Sequence, residues 1–418
     1  MYDFACLSNG MRIIGNPMKA FRSVSVGLWI DSGSVFESKD EAGISHFIEH
    51  MLFKGTQKRS ARQIAEEMDA VGGNMNAFTD KECTCFYTRV VDEHLPLALD
   101  MLADMVLSSR FDPEDIKKEK GVVLEEINMC EDTPDDLVFD LLDRAHFGTQ
   151  CVGRPILGTA ASVSAITRES IVNYMYRRYR PQGAVLALAG SYDWDSVVAL
   201  AKSLFEDWTA APGREESETF KACRHKVLRK EKRIEQTHWC VGFDGPETGS
   251  KDKYPVNILN TVLGGSMSSR LFQKIREEHG LAYSVASGLS TTIDSGLFYI
   301  YAATSPENAR PALELALDEC RRLASEGITE KEFNQARQQV TASIIMGSES
   351  TGTIMRSLGG RMLQFGDTRT VDDIINSIKA VTLDEVNLLA AKVLGSKRSG
   401  AIVGAKTKSI EDALILED

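Results

Sequence analysis

The sequence predicts an α+β protein made of two related domains. Short alternating or apolar runs bounded by Gly, Asn and Pro read as strands, and longer segments with apolar residues at three- and four-residue steps read as helices. The two kinds are interleaved through all 418 residues. A polar stretch containing Pro and Gly, residues 209–219, falls near mid-chain and reads as a linker. Beyond it the pattern restarts. Val241-Gly242-Phe243 echoes Val26-Gly27-Leu28, with Asp244 and Asp31 following closely. Residues 275–278 (IREE) echo 64–67 (IAEE), and 328–346 match 111–129 in length and apolar spacing. The offsets stay between 211 and 217 residues, as two copies of one domain would give. The predicted domains are 1–208 and 220–418, each an antiparallel sheet with helices packed on it.

The first domain opens with a hairpin, because Asn9-Gly10 between short apolar runs is a turn signal. Residues 23–30 (SVSVGLWI) begin with alternation and read as a strand. A helix follows over 45–53, and a second over 61–71 is closed by Gly72-Gly73. Residues 74–80 and 82–90 read as a strand pair, and 95–107 has helical apolar spacing. Asp112-Pro113 opens a long helix reaching about Cys130, with Asp as cap and Pro at the first helical position. An acidic stretch with Pro134, further helices and an apolar strand over 184–189 complete the half.

Composition narrows the function. An apolar content of 43% is ample for packed cores, and a net charge of -12 disfavours nucleic-acid binding. No run of 18 apolar residues exists to span a membrane, and the N-terminus lacks the charged start and apolar core of a signal peptide. Eight scattered cysteines without a C-x-x-C pair read as reduced thiols of a cytoplasmic protein. Cys83 and Cys85 leave one face of a strand, but structural zinc wants four ligands and no others lie nearby.

The stretch 43–56 (GISHFIEHMLFKGT) carries the chemistry. His46 and His50 are four apart, so on a helix both imidazoles point to one side and could share a metal ion. Glu49 sits beside that face, where a carboxylate could take a proton from an attacking water. H-x-x-E-H is a zinc-hydrolase arrangement, and the bland alternative is two surface histidines on an amphipathic helix. A catalytic zinc takes three protein ligands and keeps a fourth position open. The long helix offers Glu119, Glu125 and Glu126 as the third. Glu119 and Glu126, seven apart, share a face that Glu125 does not.

The combination resembles the inverted-motif zinc peptidases of the pitrilysin and insulinase family. In that family H-x-x-E-H is followed by a ligating Glu, and here 75 residues lie between His50 and Glu126. Residues 119–134 (EKGVVLEEINMCEDTP) look like the corresponding stretch of its mitochondrial processing peptidase branch. The resemblance covers essentially the whole chain, duplication included. It implies one Zn2+ per chain held by His46, His50 and Glu126, with Glu49 as general base and Glu119 as a supporting carboxylate. It implies a first domain that is catalytic and a second, homologous domain facing it as the other half of a chamber. The second half cannot repeat the metal site: no His occurs between Trp239 and Glu278, and Ala336 and Ser343 stand where Glu119 and Glu126 would repeat.

The resemblance gives the second half another task. Residues 271–284 (LFQKIREEHGLAYS) match the family's Arg and Tyr, seven apart. Tyr283 would donate a hydrogen bond to the reacting carbonyl, and Arg276 would help hold substrate. Residues 74–79 resemble the family's substrate strand, so main-chain groups of Asn76, Ala77 and Thr79 would pair with an extended peptide. Gly264-Gly265-Ser266 is too short for the glycine-rich loop of a processing peptidase's non-catalytic subunit. Asp136 and Asp140, within the acidic run Glu131, Asp132, Asp135, Asp136, Asp140, fall where that branch receives an Arg near the scissile bond. The implied activity is a zinc endopeptidase acting on peptides or unfolded segments, as a homodimer with a complete residue set in each subunit. A catalytically silent, core-subunit-like homologue and a metal-binding module without hydrolysis are the alternatives.

Overall fold

The computed structural model describes residues 2–210 and 226–415. Most of the expected linker, and Cys223, lie outside the described residues. Strands β1 (Asp3–Cys6) and β2 (Arg12–Pro17) form the N-terminal hairpin. Gly10 turns it at φ +90°, and Asn9 Oδ1 accepts from the Met11 N–H at 3.1 Å. With β3 (Ser23–Ile30), β4 (Asn74–Thr79), β5 (Thr84–Val91) and β6 (Ala184–Gly190) they make one sheet, ordered β1-β2-β6-β3-β5-β4. A second sheet joins β7 (Val227–Glu231), β8 (Thr237–Gly245), β9 (Ala282–Thr291), β10 (Gly296–Thr304) and β11 (Arg398–Gly404), ordered β7-β11-β8-β10-β9.

With β1 set aside, the two orders coincide strand for strand, so the repeat in the sequence is a repeat of topology. Each sheet is antiparallel except at one pair, β2–β6 and β7–β11. The last strand of each copy returns beside its first after a helical crossover, which makes that pair parallel. Among the described residues no helix is long and apolar enough to cross a membrane.

The chain divides into two units, and each draws one segment from the other half of the sequence. Asn128–Arg154 belongs with the second unit and Ile345–Val371 with the first. The division at the linker is amended accordingly, for a physical reason: each sheet has two apolar faces. In the first unit the helices Ile44–Leu52 and Leu95–Ser108 bury one face, with Val26, Leu28, Phe47, Phe86 and Leu99 in the core. The other face, with Ile14, Trp29, Val185 and Ala187, is covered by helix Thr351–Phe365 through Ile354, Met355 and Leu358. In the second unit helix Pro134–Phe147 packs on β7, β8 and β11. Two repeated glycines make room. A Cβ at Gly27 would lie 2.5 Å from Met355 Sδ, and one at Gly242 would lie 2.6 Å from Leu297 Cδ1 and 3.1 Å from Leu142 Cδ1.

The repeat also extends to buried ion pairs. Arg59, 6% exposed, reaches Asp104 at 2.9 Å, Asp100 at 2.6 Å and Glu67 at 2.8 Å. Its counterpart Arg270 holds Glu332 at 2.7 Å and the buried Glu319 at 3.9 Å. Asp100 and Glu67 are exposed enough for water to take over, but Asp104 is not. Replacing Arg59 by Met should therefore destabilise the first unit by about 3–5 kcal/mol, the cost of stranding a buried charge. Urea unfolding read by tryptophan fluorescence checks it, and a loss under about 1 kcal/mol, the scale of an exposed pair, would refute it.

Candidate metal centre

The motif helix Ile44–Leu52 starts without a side-chain cap of its own, at Gly43 with φ +91°. Glu37, buried to 4% exposure, supplies the cap instead, accepting from the Gly43 and Ser45 N–H groups at 2.8 Å each. Ser45 Oγ is 2.9 Å from the buried Tyr174 hydroxyl, which tethers the first turn. Phe47, Ile48, Met51 and Leu52 face the core, so His46, Glu49 and His50 are left on the other side. The second helix, Pro113–Asp132, is capped by Asp112, whose Oδ1 accepts from the Glu114 N–H at 2.9 Å. Ile116 and Val123 are buried at a seven-residue step. That fixes the roll of the helix and turns Glu119 and Glu126 towards the motif helix.

His46, His50 and Glu126 offer ligand atoms that all lie within 4.8 Å of one another. Glu126 Oε2 is 3.6 Å from His50 Nε2 and 3.9 Å from His46 Nε2. Donors bound tetrahedrally at zinc–ligand distances of ~2.0–2.2 Å stand about 3.3–3.6 Å apart, so small side-chain shifts suffice. Glu126 Oε2 is buried and has no hydrogen-bond partner, and neither has His46 Nδ1. An unsatisfied buried carboxylate oxygen aimed at two imidazoles fits a cation between them. Two His and one carboxylate are a donor set that zinc hydrolases use.

Charge around the cluster is strongly coupled. Burial, helped by the neighbouring His50, pushes His46 down to about 4, so it is neutral with a lone pair to give. Burial also pushes His50 down, but the hydrogen bond to Glu119 and the charges of Glu126, Glu119 and Glu49 outweigh it and leave it raised. Glu119 Oε1 is 2.8 Å from His50 Nδ1, and Lys54 Nζ is 2.7 Å from Glu119 Oε2. Burial would raise the Glu119 carboxyl, but those two partners hold it below its ordinary value. Burial raises Glu49, with Glu126 adding to it against the Thr79 hydrogen bond and His50. That bond runs from Thr79 Oγ1 to Glu49 Oε2 at 2.6 Å.

The other expected residues separate into two groups. Asn76, Ala77 and Thr79 belong to β4, the edge strand of the first sheet. Asn76 Oδ1 already accepts from the Ala77 N–H at 2.8 Å, a bond that an added strand would have to displace. Arg276, Tyr283, Asp136 and Asp140 belong to the second unit. Arg276 sits in the π-helix Phe272–Glu278, its guanidinium 5.4 Å from the Tyr283 ring centroid, and Tyr283 projects from the edge strand β9 with 76% exposure. Glu131 and Asp132 are paired with Lys230 and Lys232 at 3.1 and 3.3 Å, which leaves a smaller acidic set than the sequence suggests. Asp136 is exposed and Asp140 half-buried, four apart on helix Pro134–Phe147. Burial pushes the Cys83 and Cys85 thiols up. Glu37, Lys54 and the Thr79 hydroxyl carry no motif. Only Lys54, four residues past His50, stands at a spacing that could have suggested it.

A two-sheet α+β chain with an inverted H-x-x-E-H donor set is of the zinc metallopeptidase class. Comparison with known proteins agrees. Residues 16–160 match the insulinase (peptidase family M16) model, and residues 165–340 match the M16 inactive-domain model. The chain belongs to the insulinase family, peptidase family M16. It is 44% identical to the uncharacterized zinc protease YmxG of Bacillus subtilis, over 94% of this chain and 96% of that one. It is 40% identical to the uncharacterized zinc protease SCO5738 of Streptomyces coelicolor, over 95% of this chain and 88% of that one. Among solved structures, a protease from Helicobacter pylori shares the fold with a TM-score of 0.91 at 19% identity, covering 97% of this chain and 99% of that one. A peptidase M16 inactive domain from Pseudomonas fluorescens does so with 0.87 at 21%, covering 96% and 98%.

Proposed function

We infer that the chain is a zinc-dependent endopeptidase acting on peptides or unfolded segments. The observation that carries this is Glu126 Oε2, buried and unsatisfied, facing the Nε2 atoms of His46 and His50. A zinc ion held by the three would supply Lewis acidity to the scissile carbonyl and would acidify the attacking water. Glu49, outside the donor set, takes the proton of that water as its oxygen adds to the carbonyl carbon. It hands the proton to the amine nitrogen as the C–N bond breaks. Thr79 holds Glu49 Oε2 in place for both transfers. An extended chain can add to the β4 edge through the main chain of Asn76, Ala77 and Thr79, whereas a folded domain presents no free strand there. His50→Ala should abolish zinc binding and hydrolysis together. Glu49→Gln should keep one equivalent of zinc and lose hydrolysis, measured by metal analysis beside a peptide-cleavage assay. Full activity in zinc-free wild type would end this reading, and zinc-loaded wild type that cleaves no member of a peptide library would favour a silent homologue.

For Arg276 and Tyr283 we adopt the roles of the family pair, with Tyr283 donating to the reacting carbonyl. In support, Tyr283 is exposed and its ring packs against Arg276. Tyr283→Phe should lower kcat by about 10²–10³, as loss of one such donor does, with little change in KM. Undiminished turnover would make Tyr283 a packing residue.

For Asp136 and Asp140 we infer a preference for Arg on the N-terminal side of the cleaved bond. Carboxylates grip guanidinium in a planar, bidentate way that Lys cannot copy. Matched peptides with Arg or Lys at that position should differ in kcat/KM, and Asp136→Asn with Asp140→Asn should erase the difference. Charge attraction alone would treat both peptides alike and fade with salt. Equal cleavage by wild type would refute the preference.

A further inference from the structure

His50 and Lys54 are four residues apart, as His46 and His50 are, so the three follow one another along a single stripe. Lys54 lies just past the helix end, its N–H bonded to Met51 O at 3.0 Å. The next residue, Gly55, turns the chain away at φ +118°, where a Cβ would meet Arg110 Nη2 at 2.8 Å. The backbone of Lys54 is thereby set, and its side chain lies along the same face as the histidines. Facing that stripe is the pair Glu119 and Glu126. One end of the pair, Glu126, meets both histidines. The other end, Glu119, is gripped from two sides, by His50 at Nδ1 and by Lys54 at Nζ.

We propose that Lys54 is a positioning residue for the zinc site, holding the plane of the Glu119 carboxylate so that it fixes the ring orientation of His50. The inference rests on the zinc-site reading above. Glu119 is only 4% exposed, so its two oxygens depend on donors from the protein. Oε2 has Lys54 as its partner and Oε1 has His50. Without the ammonium, Oε2 is a buried charged oxygen with no donor, and the carboxylate turns to find one. That takes Oε1 away from His50 Nδ1. A ligating His normally has its second nitrogen tied to such a partner, and losing it costs about 10- to 100-fold in metal affinity. Lys54 is one step further out, acting only through Glu119.

The test is the zinc dissociation constant of the full chain, measured by competition with a chromophoric chelator. The sign of the effect is diagnostic. Lys54→Met should weaken zinc by roughly tenfold, within the range for lost outer partners. Lys54→Arg, which keeps a donor and the charge, should restore most of it. If Lys54 acted only as a nearby positive charge, removing it would tighten zinc, because a repulsion would be gone. Adding Lys54→Met to Glu119→Gln should weaken zinc no further, since both act along one path. The absorption spectrum of the cobalt-loaded chain should change in the Met variant and recover in the Arg variant. Lys54 is one-third exposed, so these variants should fold, and unfolding of the metal-free chains verifies it. Should the Met variant not fold, Lys54→Ala, which also lacks a donor, replaces it with the same expectation. Unchanged or tighter zinc in a folded Met or Ala variant overturns the role of Lys54 while leaving the zinc site standing. A wild type that binds no zinc overturns both.

Discussion

The register between two helices, Ile44–Leu52 and Pro113–Asp132, is the constraint on which the site depends. A four-residue step spans ~6 Å and a seven-residue step ~10.5 Å along a helix. The histidines take the first step and Glu119 and Glu126 the second, so the pairs match only in one alignment. Turning either helix by one residue swings its stripe by ~100° and removes a donor from the cluster. Fixed points far from the cluster hold that alignment: Glu37 and Tyr174 at the start of one helix, Asp112 and the buried Ile116 and Val123 on the other. Lys120 adds one more, its Nζ donating to Ser164 O at 2.7 Å.

Much of this was legible in the sequence because it rests on local periodicity. The hairpin at Asn9-Gly10, strand Ser23–Ile30, the Asp112-Pro113 helix start and the donor spacing are all set by residues within a few turns of one another. The helix exchange was not legible. Helix Pro134–Phe147 has apolar residues at helical spacing, but periodicity shows only that a face is buried, not which sheet buries it. The linker suggested a clean cut, whereas covering both faces of each sheet takes one helix from the other half.

The outer partners of the site were hidden for a different reason. Glu37 caps a helix from outside the usual capping position, and in sequence it is one carboxylate in the polar run 37–41. The Thr79 hydroxyl reaches Glu49 across a separation of 30 residues. Such contacts follow from tertiary placement, and no spacing rule connects them. The acidic run after Glu126 shows the converse. It looks uniform in sequence, yet Glu131 and Asp132 are spent on lysines of β7 and the next strand-end residue, Lys230 and Lys232.

The duplication separates what the fold requires from what the metal requires. The ion pair of Arg59 reappears as that of Arg270, since each anchors helices to a core. The metal stripe does not reappear. At the offset of 211 that relates Arg59 to Arg270, Asn257, Thr261 and Gly265 stand for His46, His50 and Lys54. On the facing helix, Ala336 stands for Glu119, and the two are equally buried, 3% and 4% exposed. A buried carboxylate is tolerable only where donors satisfy it, and an alanine needs none. The second copy carries neither the histidines nor the lysine nor the carboxylate at these positions. The architecture therefore does not require Glu119, and its burial between His50 and Lys54 accords with the role proposed for it beside the metal.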